Sequence, residues 1–158
     1  MERLFGIPAH PLLVHLPVVL TPVVCLAALA IAVRPAWRNR FGLFVLGGAL
    51  VSFIATFLAT QSGEGLITLD EEFREVSKNH AELGETTRLF AFVLLVAVAV
   101  LVFLGRRAGG SRASTGSGLN VAQTVVAGIM VVAAVLNTVW MVRTGHEGAR
   151  IVWETVGK

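Results

Sequence analysis

Apolar positions along this chain gather into four long blocks, Leu12–Val33, Phe41–Thr60, Leu89–Leu104 and Val121–Val142. A helix rises about 1.5 Å per residue, so roughly 20 apolar residues cross the roughly 30 Å of bilayer hydrocarbon. The third block is the shortest. It extends back through Thr86, Thr87 and Arg88, whose long side chain can snorkel outward. The pattern predicts an all-α, polytopic membrane protein: an up-down-up-down bundle of four transmembrane helices at about 11–33, 41–60, 80–104 and 120–143. One membrane domain then accounts for residues 1–158.

The polar stretches between blocks carry their own signals. In 61–88, Leu66, Leu69, Phe73 and Val76 recur at helical spacing with acids opposite. Thr68 and Glu71 fit a capping box, and Lys78 lies near the end, which predicts a short amphipathic outer helix on the membrane surface. Asn79 and Glu82 fit a second cap, so the third membrane helix is expected to start at His80. Residues 105–118 are rich in Gly and Ser, hold three arginines and read as a flexible cytoplasmic linker. No strand precedes them and no Gly-Lys-Ser/Thr follows, so they are not a phosphate loop. After the fourth block, Ile151, Val152, Trp153 and Val156 suit the interface, with Trp140 and Trp153 as anchors.

Inside the blocks, Pro11 suits a first helical position, with His10 before it as a cap-like residue. Pro17 and Pro22 lack an N–H and release the carbonyls of Leu13 and Val18, so the helix is expected to bend or widen near His15. Gly48, Ser52, Thr56 and Thr60 repeat every four residues, a small-residue stripe that lets helices approach closely. Asn137, the one strongly polar residue deep in the fourth block, is expected to face the bundle.

Charge sets the topology. Arg34, Arg38 and Arg40 follow the first block and Arg106, Arg107 and Arg112 follow the third, with no acid in either link. The other seven basic residues share the opposite face with all ten acids, a balance near −3. Arg-rich short loops stay cytoplasmic, so both termini and the 61–88 segment are expected outside. Topology explains these arginines without nucleic acid, for which there is no basic-aromatic platform; anionic lipid headgroups are their second expected contact. Cys25 is the only cysteine and lies mid-block, which excludes CxxC chemistry and an internal disulfide. The first block is long, Pro-rich and His-bearing for a cleaved signal peptide, and is read as a retained helix.

The same topology brings all four histidines to one face. His10 and His15 open the first block, His80 precedes the third and His146 follows the fourth. Imidazole is costly near a bilayer and ligates haem and metals. His15, the deepest, and His80, with Gly84 one turn further in, are expected as the primary pair, and His10 and His146 as further ligands or supporting donors. One reading is a b-type haem between helices with Arg88 and Arg143 toward its propionates, in an electron-transfer protein with a periplasmic or membrane redox partner. Another is zinc or copper held by His10, His15, His80, His146 and Glu147, with Glu64, Asp70, Glu82 and Glu85 as further acids. On an ideal helix the rings of His10 and His15 diverge by about 140°, which counts against one ion using both. A third reading is a cofactor-free structural or accessory subunit. No Ser-His-Asp or Cys-His constellation supports a hydrolase, and a stand-alone enzyme is not expected.

The run His10-Pro11-Leu-Leu-Val-His15-Leu-Pro17, then His80, then Gly145-His146-Glu147-Gly148, resembles a bacterial integral-membrane family catalogued as domain of unknown function 2231. The resemblance spans nearly the whole chain. Relatives usually have Phe where Leu16 stands and a Gly-Gly stretch before the last His, where this chain reads Trp140-Met-Val-Arg-Thr-Gly145. The resemblance implies a multi-pass protein of the bacterial inner membrane. The family name carries no activity, although some members are joined to Rieske-type redox modules.

Overall fold

A computed structural model describes the backbone at residues 3, 4, 7–67, 71–110 and 121–156, and side chains at 9–65, 71, 74–107 and 121–154. Arg3–Leu4 (β1) pairs antiparallel with Ile7–Pro8 (β2), a two-residue ladder that block hydropathy does not anticipate. Helices follow at Ala9–Leu13 (α1), His15–Val33 (α2), Pro35–Ile67 (α3), Glu71–Gly110 (α4) and Val121–Val156 (α5). Among the described residues, four stretches are long and apolar enough to cross a membrane: Ala9–Val33, Pro35–Gly65, Arg74–Arg107 and Val121–Glu154. The protein is an all-α, four-span bundle. α2 and α4 each pack against both α3 and α5, which closes a four-sided arrangement, and α1 lies against α3.

The core runs through Val24, Ala28, Ile31, Val45, Ala97, Val98, Leu101, Met130 and Ala134, all buried. The outward faces are equally apolar, with Phe44 79% and Val19 69% exposed. A helix that is hydrophobic all round suits a lipid solvent, where the hydrophobic effect no longer distinguishes inside from outside. Close packing and buried polar contacts must therefore hold the helices together. The small stripe of α3 does this: Gly48 faces Val24, Thr60 faces Gly84, and Ser52 Oγ meets Thr21 Oγ1 at 2.8 Å. Asn137 is 1% exposed and points its amide nitrogen at Cys25 Sγ of α2, 4.0 Å away.

Several boundaries differ from the hydropathy reading. α3 continues to Ile67 and α4 begins at Glu71, so helical extensions of the second and third spans replace the expected separate outer helix. The cap expected at Asn79 and Glu82 lies inside α4, which passes through His80 unbroken. α5 likewise runs through Gly145–Gly148 to Val156. Hydropathy stops where charge begins, but the hydrogen-bond ladder of a helix does not need a hydrocarbon surround. Thr68, Leu69, Asp70, Arg112 and linker residues 111–118 lie outside the described residues, as do the side chains of Leu66 and Phe73.

The first span breaks where the prolines predict. Val14 separates α1 from α2, although it keeps helical angles (φ −67, ψ −23) and its N–H reaches His10 O at 3.1 Å. Pro17 has no N–H to offer the carbonyl of Leu13, so one ladder bond is lost there. α1 starts at Ala9, so His10 lies inside the helix instead of capping it. At the opposite end α2 and α3 are joined by Arg34 alone. Arg38 folds back under this corner, 4% exposed, and its guanidinium donates to the carbonyls of Ile31 and Ala32 at 3.4 Å. It caps the C-terminus of α2, where a cation also complements the helix dipole.

A paired-histidine site at one end of the bundle

Two histidines meet where α1, α3, α4 and α5 converge. The rings of His10 (α1) and His80 (α4) stand edge to face, with centres 5.9 Å apart and planes at 82°. His10 Nδ1 donates to Ala59 O of α3 at 2.8 Å, with Ser62 Oγ at 3.2 Å. His80 Nδ1 donates to Thr144 O of α5 at 3.0 Å. A carbonyl can only accept, so each contact places the ring proton on Nδ1 and leaves the lone pair of the neutral ring on Nε2.

The two cradles share one construction. A Cβ on Gly63 would lie 3.1 Å from His10 Cε1, and one on Gly148 would lie 2.9 Å from His80 Cε1. In each case the accepting carbonyl belongs to the residue four before the glycine: Ala59 before Gly63, Thr144 before Gly148. Helical side chains lean toward the N-terminus and cover the turn before their own Cα. A glycine there uncovers the carbonyl four residues earlier, which can then accept a lateral bond. Nε2 is the farthest of the three nearest ring atoms in both cradles, at 3.7 Å and 3.6 Å. Thr87 Oγ1 bonds Thr144 Oγ1 at 2.9 Å and ties α4 to α5 beneath His80. Glu147 is 6% exposed and pairs with Arg150 at 3.1 Å.

The other expected residues are placed differently. His15 is exposed on α2, and its Nδ1 donates to Pro11 O one turn back at 2.6 Å. That local bond anchors the ring on the exposed side of α2. His146 is exposed inside α5, not at its end, and sits two residues, about 200°, round from Thr144. Gly84 receives Thr60 of α3, so it serves helix packing and not ring access. Arg88 pairs with Glu85 and stacks over Phe57, while Arg143 stacks over Trp140 at 5.2 Å. Glu85 also lies toward Glu64 of α3. Among the described residues no three His, Cys, Asp or Glu side chains form a metal-sized group. The acidic helix expected to cover the histidines is replaced by the extended ends of α3 and α4.

Sequence reasoning missed the cradles themselves, that is Ala59, Ser62, Gly63, Thr144 and Gly148. The signal was present as small residues at four-residue spacing in Ala59–Gly63 and Thr144–Gly148. A family model described as "Predicted membrane protein (DUF2231)" matches residues 6–157. No curated protein and no solved structure matches the chain.

Proposed function

The chain belongs to the DUF2231 family of predicted membrane proteins, and we propose that it is an electron-transfer protein whose b-type haem is held by His10 and His80. The observation that carries this reading is the pair: two imidazoles from different helices, each with Nδ1 anchored to a backbone carbonyl. Ligating histidines commonly donate their second nitrogen in this way, which fixes tautomer and ring orientation. His10 and His80 would hold the haem iron through their Nε2 atoms. Their ring centres lie 5.9 Å apart, which brings both side chains to one place between α1 and α4. Two protein ligands are also what an axially ligated haem takes, whereas zinc sites take three or four.

A haem bound here supplies one-electron exchange. The protein's part is to orient both Nε2 lone pairs, to exclude water with the apolar core beneath, and to offer Arg143 to a propionate. Arg88 is already engaged with Glu85 and is the weaker propionate partner. Arg34, Arg38, Arg40, Arg106 and Arg107 all lie at the other end of the spans, which supports a histidine end facing the periplasm and an inner-membrane location. The redox partner is then a periplasmic or membrane-bound protein.

Detergent-purified protein from haem-replete cells should show a Soret band and about one haem per chain by pyridine-haemochrome assay. His10→Ala and His80→Ala should each lose it, while His15→Ala and His146→Ala retain it. Absence of haem together with stoichiometric zinc or copper would replace the haem with a metal ion, and absence of both would leave a structural role for the pair. Full haem retention by both His10→Ala and His80→Ala would overturn the ligand assignment.

A further inference from the structure

The end of the bundle remote from the histidines carries a second kind of chemistry. Arg34, Arg40 and Arg107 each lie over a neighbouring aromatic ring, Arg34 on Trp37 at 4.8 Å, Arg40 on Phe41 at 5.2 Å and Arg107 on Phe103 at 4.2 Å. Stacking holds a guanidinium by its flat face and leaves its N–H edge for an acceptor. The sequence has no acid from residue 34 to 63 or from 89 to 146, so the acids of α3 and α4, Glu64 and Glu85 the nearest in sequence, stand some twenty residues away toward the histidine end. Arg34, Arg40, Arg106 and Arg107 are exposed.

A lateral groove of about 250 Å³ runs between α4 and α5, with Phe92, Val96 and Val100 on one wall and Val126 and Ile129 on the other. Its lining is almost wholly apolar and it is open on the outer side of the bundle. On α4 the groove stripe continues into the stacked pair: at 100° per residue, Phe103 and Arg107 fall within about 20° of Val96 and within about 60° of Val100. On α5 the stripe continues from Ile129 and Val126 to Ala122, which is small and exposed. Arg107 lies about 10 Å along the axis from Val100 and about 22 Å from Phe92. A leaflet is about 15 Å deep in hydrocarbon, so a phosphate at Arg107 brings an acyl chain past Phe103 and Val100 and into the groove.

We propose that this stripe is a binding site for an anionic phospholipid of the leaflet facing the arginine end, with its headgroup phosphate on Arg107 and Arg106 and one acyl chain in the α4–α5 groove. Charge complementarity selects the headgroup, since these cations are exposed and no acid lies near them in sequence, and the groove gives the chain a defined seat. The site is independent of the paired histidines.

The test is electron paramagnetic resonance on the full chain in phosphatidylcholine vesicles, with phosphatidylglycerol or phosphatidylcholine spin-labelled near the chain end as probe. The motionally restricted fraction should be at least about twofold larger for phosphatidylglycerol, and the excess should shrink as salt screens the headgroup. Arg106→Gln with Arg107→Gln should reduce phosphatidylglycerol to the phosphatidylcholine level, whereas Arg143→Gln at the other end should leave the excess intact. Val96→Trp, which fills the groove, should lower the restricted fraction of both lipids. Equal restriction of the two lipids by the wild type overturns the proposal. So does an excess that survives the double arginine variant, or one that Arg143→Gln removes equally.

Discussion

Adding one methyl group at Gly148 tests the cradle construction directly. The new Cβ would stand 2.9 Å from His80 Cε1 and 3.2 Å from its Nδ1. The ring cannot swing clear cheaply, because its Nδ1 is anchored to Thr144 O at 3.0 Å and its far side faces His10. Overpacking of this kind costs about 1–3 kcal/mol, and loss of the ring's hydrogen bond adds about 0.5–1.5 kcal/mol. Replacing a helical Gly by Ala returns about 0.5–1 kcal/mol. Gly128→Ala is the matched control, since a Cβ there meets nothing within 4 Å and only the backbone term applies. The two variants should therefore differ by roughly 1.5–4.5 kcal/mol, with Gly148→Ala the less stable. Gly63→Ala should fall between them, its nearest contact being 3.1 Å. Thermal unfolding in one detergent, followed by circular dichroism, measures the difference. If Gly148→Ala and Gly128→Ala agree within about 0.5 kcal/mol, the ring does not rest on the glycine and the cradle account is wrong.

Further outcomes follow from the buried polar contacts and the charge pattern. A double-mutant cycle on Thr21→Val and Ser52→Ala should show coupling of about 0.6 and at most about 1.7 kcal/mol, the range of hydrogen bonds between membrane helices; zero coupling would remove that bond from the account of α2–α3 association. Asn137 Oδ1 is buried without a partner and its amide nitrogen has only a distant sulfur, so Asn137→Leu should unfold at or above the wild-type temperature. A drop of several degrees would mean that the amide holds the bundle together. Reporter fusions after Gly110 and after Lys158 should read opposite sides of the membrane, with Gly110 cytoplasmic, and a cytoplasmic signal at Lys158 would invert the topology.

The four spans, the proline-weakened start of the first and the inward stripe of α3 are legible in the residues alone because each depends on local causes. Length and hydropathy decide whether a segment can cross hydrocarbon. A missing N–H breaks a ladder in any context, and small residues at four-residue spacing lie on one face of any helix. Where the helices end was less legible. The polar flanks of α3, α4 and α5 satisfy both a capped short helix and a continued long one, and continuation is what the fold adopts.

The site was half legible. Sequence order fixes that His10 and His80 lie toward one end of the bundle, since each span reverses direction. It does not decide how each helix is turned about its own axis. That rotation sends His10 onto Ala59 and Gly63 and leaves His15, about 140° away, outside on its own Pro11 carbonyl. It buries Glu147 while exposing the adjacent His146. A helix that is apolar on every side has no face marked to turn inward, so only interhelical packing sets the rotation. The partnership of His10 with His80, across elements 70 residues apart in the sequence, was therefore decided by the tertiary structure alone.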